Sequence, residues 1–446
     1  MKTICINMLH KKTLGVISAL LLATCLHAQS PWTLRLCCDY AIEHNITVKQ
    51  YENQRQQSEV QLSTSRNQRL PDLNANAGQN FSFGRGLTAE NTYTNTNTSS
   101  TSFSIGTSIP LFTGFRIPND IRMNRMNLEA ATADLEKAKN DIRIQVAQAY
   151  LQILYNMEIC DVANRQIAID SAQVERLQAL LNAGKTSEAE VAQQRATLAQ
   201  SRLTATQANN NKQLALLDMT QLLELPSPEG FSIVRPETDI QESQIPLPDE
   251  IFEEAITMKP EIQAGELRLR SSDNYIKMAQ AALYPSLSLS AGMGSNYYKT
   301  SGFKAQSFGE QIKNNFSQYI GLNLNIPIFN RLQTKNSIRS AQLERDNRQM
   351  LLEQTKKTLY KEIQQTYYNT VAASEKLKSS MTACQSSSKA FSLTKAKYEQ
   401  GKATITEFNE AKNNYLKSES DLSQARYEYI YQQAVIRFYR GQELSF

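Results

Sequence analysis

Few side chains in this 446-residue chain are of the kinds that carry out covalent or metal chemistry. It has three histidines and six cysteines, and no Cys-x-x-Cys pair or Cys/His cluster occurs. Zinc-type ligand spacing and His-based nucleophilic catalysis are therefore missing. Ser392 and Lys395 have the Ser-x-x-Lys spacing of some acyl enzymes, but they lie in helical text without the accompanying motifs. What remains is a set of hydroxyls and carboxylates beside two glycines. Gly184, Lys185, Thr186 and Ser187 are followed by Glu190; Gly401, Lys402, Ala403 and Thr404 are followed by Glu407. In each set a Ser or Thr precedes a Glu by three positions, the spacing of a helix-capping box. Glu410 falls one turn after Glu407, so both carboxylates share a helix face. Such groups cap and repel; they do not make an active site. No enzyme, cofactor or metal centre is expected.

The two glycine sets belong to a repeat. Leu70-Pro71-Asp72-Leu73 returns as Tyr284-Pro285-Ser286-Leu287, Ile109-Pro110-Leu111-Phe112 as Ile326-Pro327-Ile328-Phe329, and Gly184-Lys185 as Gly401-Lys402. The offset is 214 residues at first and 217 from Ile109 onward. Two copies of one unit imply a pseudo-symmetric structure. The boundaries read as a first repeat over 29–225, a proline-rich linker over 226–248 and a second repeat over 249–446.

Helical text dominates both repeats. From Asn119 to Leu225 there is one glycine and no proline, and from Arg331 to Arg440 the same holds. Ile142, Val146, Ala149, Ile153, Met157 and Cys160 recur at 3/4 spacing, a coiled-coil-like seam. Each glycine thus breaks a long helical hairpin, with tips at 184–187 and 401–404. The first arm of each hairpin, roughly 65 residues, would be ~100 Å long. Two further helices are expected at about 33–69 and 249–283. Tyrosines 415, 427, 429, 431 and 439 are expected to pack between neighbouring arms.

Period-2 alternation predicts four strands, at about 72–83, 101–112, 286–298 and 318–329. Their apolar faces carry residues such as Phe103, Ile105, Ile109, Leu111, Leu287, Leu289, Ile320 and Leu322; the other faces are Ser, Asn and Gly. Polar loops at about 84–100 and 299–315 join the pairs.

Residues 1–28 read as a secretory signal, with Lys11 and Lys12 before an apolar run from Thr13 to Leu26. Lipoprotein processing at Cys25 is the alternative. Loss of 1–28 removes three lysines and no acid, so the net charge falls from +5 to +2, which gives no case for nucleic acid. The four cysteines beyond it read as buried apolar side chains. No later segment is an apolar run long enough for a transmembrane helix. An exported chain with four alternating strands suggests a lipid-facing band. Four strands cannot close a membrane barrel, and open edges in lipid are costly, so closure must come from other copies. Three copies give twelve strands and gather twelve helical arms into a second tube.

The chain resembles the TolC-like outer-membrane efflux channels. The resemblance rests on the opening Leu36-Cys37-Cys38-Asp39-Tyr40-Ala41-Ile42-Glu43-His44-Asn45, the Leu-Pro-x-Leu strand start, Ile-Pro-Leu-Phe-x-Gly at 109–114 and both tips. It implies a mostly α fold with a β-barrel part: coiled-coil hairpins forming a periplasmic α-barrel, and four strands per protomer in a trimeric 12-stranded transmembrane barrel. It implies a homotrimer in outer-membrane lipid, passive exit for a tripartite efflux or type I secretion machine, a periplasmic adaptor (membrane fusion protein), and an inner-membrane pump of RND or ABC type. It places adaptor docking at Gly184, Lys185, Thr186, Ser187, Gly401, Lys402, Ala403 and Thr404. It places the periplasmic constriction at Glu407, Glu410 and Tyr398, with Glu190 at the matching position of the other tip. The family's basic gate residue falls on Ala403, so Lys402 is expected to substitute. A periplasmic coiled-coil scaffold with a soluble β domain is the rival reading.

Overall fold

The computed structural model describes residues 31–87, 91–95, 97–236 and 244–444; the expected signal segment and Cys25 lie outside them. In chain order the elements are α1 (Leu34–His44), α2 (Ile46–Asn67), β1 (Asn74–Ser82), β2 (Arg85–Leu87), β3 (Tyr93–Asn95), β4 (Thr98–Thr113), α3 (Arg116–Asn182) and α4 (Glu188–Leu222). After these come α5 (Pro248–Met258), α6 (Pro260–Ala281), β5 (Ser286–Thr300), α7 (Phe308–Asn314), β6 (Ser317–Asn325), α8 (Gln333–Glu399) and α9 (Ile405–Tyr439). The chain packs as two compact units, and each draws on both sequence repeats. One takes residues up to 49, 138–255 and 359–446; the other takes 50–137 and 256–358.

The second of these units holds a four-stranded antiparallel sheet in the order β1-β4-β5-β6. Its register puts Ile105 opposite Met293, Ile109 opposite Leu289, and Leu289 opposite Leu322. Large apolar side chains therefore share one face, and many stay uncovered: Ile320 is 77% exposed and Leu322 67%. The opposite face carries Ser104, Gly106, Ser290, Gly292 and Asn323. There Tyr319 lies across Gly292, where a Cβ would stand 2.8 Å from the ring. The strand expectations fail in two places: the fourth strand, expected to reach 329, ends at Asn325, and one expected apolar position is lost to a bulge. The register shifts between Pro110 and Phe112, so Leu111 is bulged and Phe112 takes its place opposite Leu287. Pro110 has no N–H to give the ladder, which suits it to a bulge.

The loops are more structured than their composition suggests. β2 and β3 form a short hairpin. α7 closes β5 where that strand outruns β6: Gln311 accepts from the Tyr298 N–H and donates to the Tyr298 carbonyl, both at 3.0 Å. Asn315 donates to the Asn296 carbonyl at 2.7 Å. Phe308 packs on Tyr297, with ring centroids 5.2 Å apart. Beside the sheet, Leu62 of α2 packs on Ile117 and Ile121 of α3. α6 meets α3 through an Arg268–Asp134 ion pair and a 2.6 Å hydrogen bond from Ser271 to Asn127.

The other unit is helical. Val146, Ile153, Leu154, Leu359 and Ile363 are fully buried in it. Of the expected seam, Ile142, Val146, Ile153 and Cys160 are buried, while Ala149 and Met157 are half-buried. The Tyr150 hydroxyl donates to the Val234 carbonyl at 2.6 Å, beside a parallel bridge from Trp32 to Ile233. Cys37 and Cys38 are buried, and burial pushes their thiols up to about 12 and about 11.

The helices expected at 33–69 and 249–283 are each broken in two. Asn45 is extended, donates through Nδ2 to the Leu222 carbonyl at 3.0 Å and accepts from the Thr47 N–H at 2.9 Å. Its side chain thus replaces a helical turn. At the matching place in the second repeat, Pro260 forces Lys259 into an extended conformation.

Candidate functional site: the helical tips

Both hairpin tips are built alike. α3 ends with the Gly184 N–H on the Leu181 carbonyl at 2.9 Å and the Lys185 N–H on the Leu180 carbonyl at 2.8 Å. α8 ends with the Gly401 N–H on the Tyr398 carbonyl at 3.0 Å and the Lys402 N–H on the Lys397 carbonyl at 2.8 Å. This paired closure needs a left-handed residue at its centre, and the glycines supply it with φ of 69° and 74°. Lys185 and Lys402 are exposed at the two turns.

The return helices start differently. At Thr404 the capping box is complete: its hydroxyl accepts from the Glu407 N–H at 3.2 Å, and Glu407 accepts from the Thr404 N–H at 2.7 Å. These bonds hold the Glu407 carboxyl below the ordinary range. At Ser187 only half of the expected box forms. Its hydroxyl caps the Glu190 N–H at 3.3 Å, but the Glu190 carboxylate accepts from the Thr186 hydroxyl instead. Thr186 occupies the position of Ala403, which has no hydroxyl to offer. One side-chain difference between the repeats therefore redirects a carboxylate.

Tyr398 is held by the other hairpin of the same unit. Gln173 donates to its hydroxyl and Arg176 stands 4.9 Å from its ring centroid, while Phe408 of its own hairpin packs 5.0 Å away. Burial raises its pKa, against the opposing pull of Arg176 and the Gln173 bond. The cation beside Tyr398 is therefore Arg176 of α3 and not Lys402, for which no side-chain partner is found among the described residues. Glu410 is exposed on α9.

A second cluster lies farther from the tips and was not foreseen. Lys412 of α9 and Asp170 of α3 form an ion pair with both side chains at 0% exposure. The pair is closed by further bonds: Ser201 donates to Asp170 at 2.5 Å, and Gln194 donates to it at 3.3 Å. Asn409 donates to Gln194 at 3.1 Å and accepts from Lys412 at 3.4 Å. Arg165 of α3 and Glu419 of α9 add a 2.7 Å pair on the same seam. Helical spacing held a clue. Phe408, Lys412 and Leu416 share one buried stripe at intervals of four, and Ala163, Asp170 and Leu177 share another at intervals of seven. The Tyr-rich text resolves similarly: Tyr429 is buried against Ala373 and Leu377, and Tyr415 stacks on Phe391.

The sequence profile of the family described as outer membrane efflux protein matches residues 38–224 and residues 251–442. The chain belongs to this family. Outer membrane efflux proteins are transport channels and not enzymes, and they work in the outer membrane and extend into the periplasm. The chain is similar to the probable outer membrane lipoprotein SilC of Salmonella typhimurium, with 22% identity over 76% of this chain and 70% of that protein. It is also similar to the pyoverdine export outer membrane protein OpmQ of Pseudomonas aeruginosa, with 25% identity over 63% of this chain and 56% of that protein. The solved Campylobacter jejuni CmeC outer membrane channel has the same fold. Its TM-score is 0.77 at 18% identity, over 93% of this chain and 87% of that one.

Proposed function

We propose that three copies of this chain form a passive exit duct. Their sheets pool into one twelve-stranded barrel in the outer membrane, and their helical hairpins into a second tube in the periplasm. The supporting observation is the sheet itself. One of its faces exposes large aliphatic side chains, and its outer strands β1 and β6 have no further partner among the described residues. Unpaired strand edges in lipid cost several kcal/mol per group, so another copy must satisfy them.

The tips at Gly184–Ser187 and Gly401–Thr404 dock a periplasmic adaptor, and an inner-membrane pump supplies the energy. This is the arrangement of a tripartite efflux or type I secretion system. Glu407 and Glu410, repeated three times, ring the periplasmic mouth and favour cations. Tyr398 braces that mouth from behind, and Glu190 lies near enough to Tyr398 to act on it electrostatically. The polar sheet face carries mostly small, uncharged side chains beside Tyr319, so choice of cargo rests with the pump.

The test is assembly and conduction. The purified protein should be a trimer in mild detergent and open channels in planar bilayers. A monomer that stays silent and washes off membranes in high salt would refute the proposal.

A further inference from the structure

The outer end of the sheet changes chemistry in a fixed order. On its apolar face β5 presents Leu287, Leu289 and Met293, then Tyr297, and last Lys299. Leu287 to Tyr297 matches the length of about 9–11 residues that a strand needs to cross the hydrocarbon layer. Lys299 is therefore the first side chain of that face beyond the layer. Phe81 lies in the same row, because both residues pair with Ser99.

α7 is tied to this corner from two sides. Gln311 and Asn315 hold it along the edge of β5, level with Asn296 to Tyr298. Phe308 leans over the apolar face, with its ring centroid 5.2 Å from that of Tyr297 and 6.5 Å from that of Phe103. The Ser295 hydroxyl donates to the Ile312 carbonyl at 2.6 Å. Phe303, Phe308 and Phe316 nevertheless stay about half exposed. Lys299, Lys304 and Lys313 are exposed in the same corner, and no side-chain partner is found for any of the three among the described residues. The one acid of 299–315, Glu310, is engaged by the N–H and hydroxyl of Ser307 in a capping box.

We propose that this rim holds a phosphate-bearing lipid of the outer leaflet, with Lys299, Lys304 and Lys313 around the headgroup phosphate and Phe308 and Phe316 along the acyl chains. The proposal rests on the reading of the apolar face as lipid-facing. Three exposed lysines retain a free anion poorly, because salt screens them. Beside an apolar face at the membrane boundary they hold a lipid better, since acyl burial and headgroup attraction add. Aromatic rings suit the level where hydrocarbon gives way to water. Lysine stems lie along such a rim and carry the ammonium into the headgroup layer.

The test uses the assembled protein in mild detergent and counts bound lipid by native mass spectrometry. Diphosphoryl lipid A and its dephosphorylated form are the probes. The parent should prefer the diphosphoryl form by about tenfold or more. Lys299→Gln, Lys304→Gln and Lys313→Gln combined should abolish the preference, whereas Lys299→Arg, Lys304→Arg and Lys313→Arg combined should keep it. The three exposed positions have no side-chain bond to lose, so the glutamine variant should assemble as the parent does. Equal binding of both forms by the parent overturns the proposal. So does a glutamine variant that keeps the preference, or millimolar inorganic phosphate that strips the lipid from the parent. Parent protein that fails to enter phosphatidylcholine vesicles would instead refute the lipid-facing sheet on which the proposal is built.

Discussion

Replacing Lys412 by methionine isolates the contribution of the buried pair. Methionine keeps most of the lysine stem, so the change removes a charge with little change in packing. Asp170 would then sit at 0% exposure with Ser201 and Gln194 as hydrogen-bond donors but no cation. Breaking a buried pair from one side costs about 3–5 kcal/mol, or roughly a hundred- to several-thousand-fold in the local opening equilibrium. The assay is hydrogen exchange of the purified protein, read on peptides covering 166–176 of α3 and 408–416 of α9. Both should lose protection together, because one contact ties them. Adding Asp170→Asn removes the stranded charge as well, and the double variant should regain most of the loss, to within about 1 kcal/mol of the parent. Two results would refute the reasoning: a single variant that exchanges within about tenfold of the parent, or a double variant as damaged as the single one. Either would mean that the pair does not hold the hairpins.

The other predictions concern the tips and the sheet. Thr404→Ala removes a complete box and should destabilise the first turn of α9 by about 1 kcal/mol, more than Ser187→Ala does for α4; exchange of the tip amides compares them. The Glu407 carboxyl is held below its unfolded value, so its contribution is full above the ordinary carboxylate range. That contribution disappears only as pH falls through the lower folded value. A first turn of α9 that frays at the pH where a free glutamate titrates would contradict this. Gly292→Ala sets a methyl against the far end of the Tyr319 side chain, which is 61% exposed and free to turn aside, so heat denaturation should shift by no more than about 0.5 kcal/mol. Charge-neutral Glu410→Gln should lower cation selectivity in single-channel recordings, and unchanged selectivity would remove Glu410 from the mouth.

Local signals were the legible ones. Glycine at 184 and 401, with a hydroxyl three residues after each, is enough to write both tips, because a left-handed turn and a helix cap are decided within one turn of chain. Strand alternation likewise carried through until Pro110 introduced a bulge and, in the second repeat, until β6 stopped at Asn325, ahead of Pro327. Decisions that depend on distant partners were hidden. Asn45 breaks a helix only because the Leu222 carbonyl is there to receive it, 177 residues away. Asp170 and Lys412, 242 residues apart, carry no local signal that would pair them. Only their place in apolar stripes argued otherwise. The capping box at Ser187 was misread because the competing hydroxyl of Thr186 satisfies no familiar motif.

The amide of Gln311 imitates a β-strand. By occupying both backbone groups of Tyr298, it makes the top of β5 unavailable to any foreign strand. Among the described residues, the outer strands of the four-stranded sheet are β6 and β1, nine residues each. At roughly 3.3 Å per residue, each is about as tall as the hydrocarbon layer is thick. In the proposed trimer, the frontage of the four-stranded sheet between copies would thereby be confined to the depth where water cannot satisfy it.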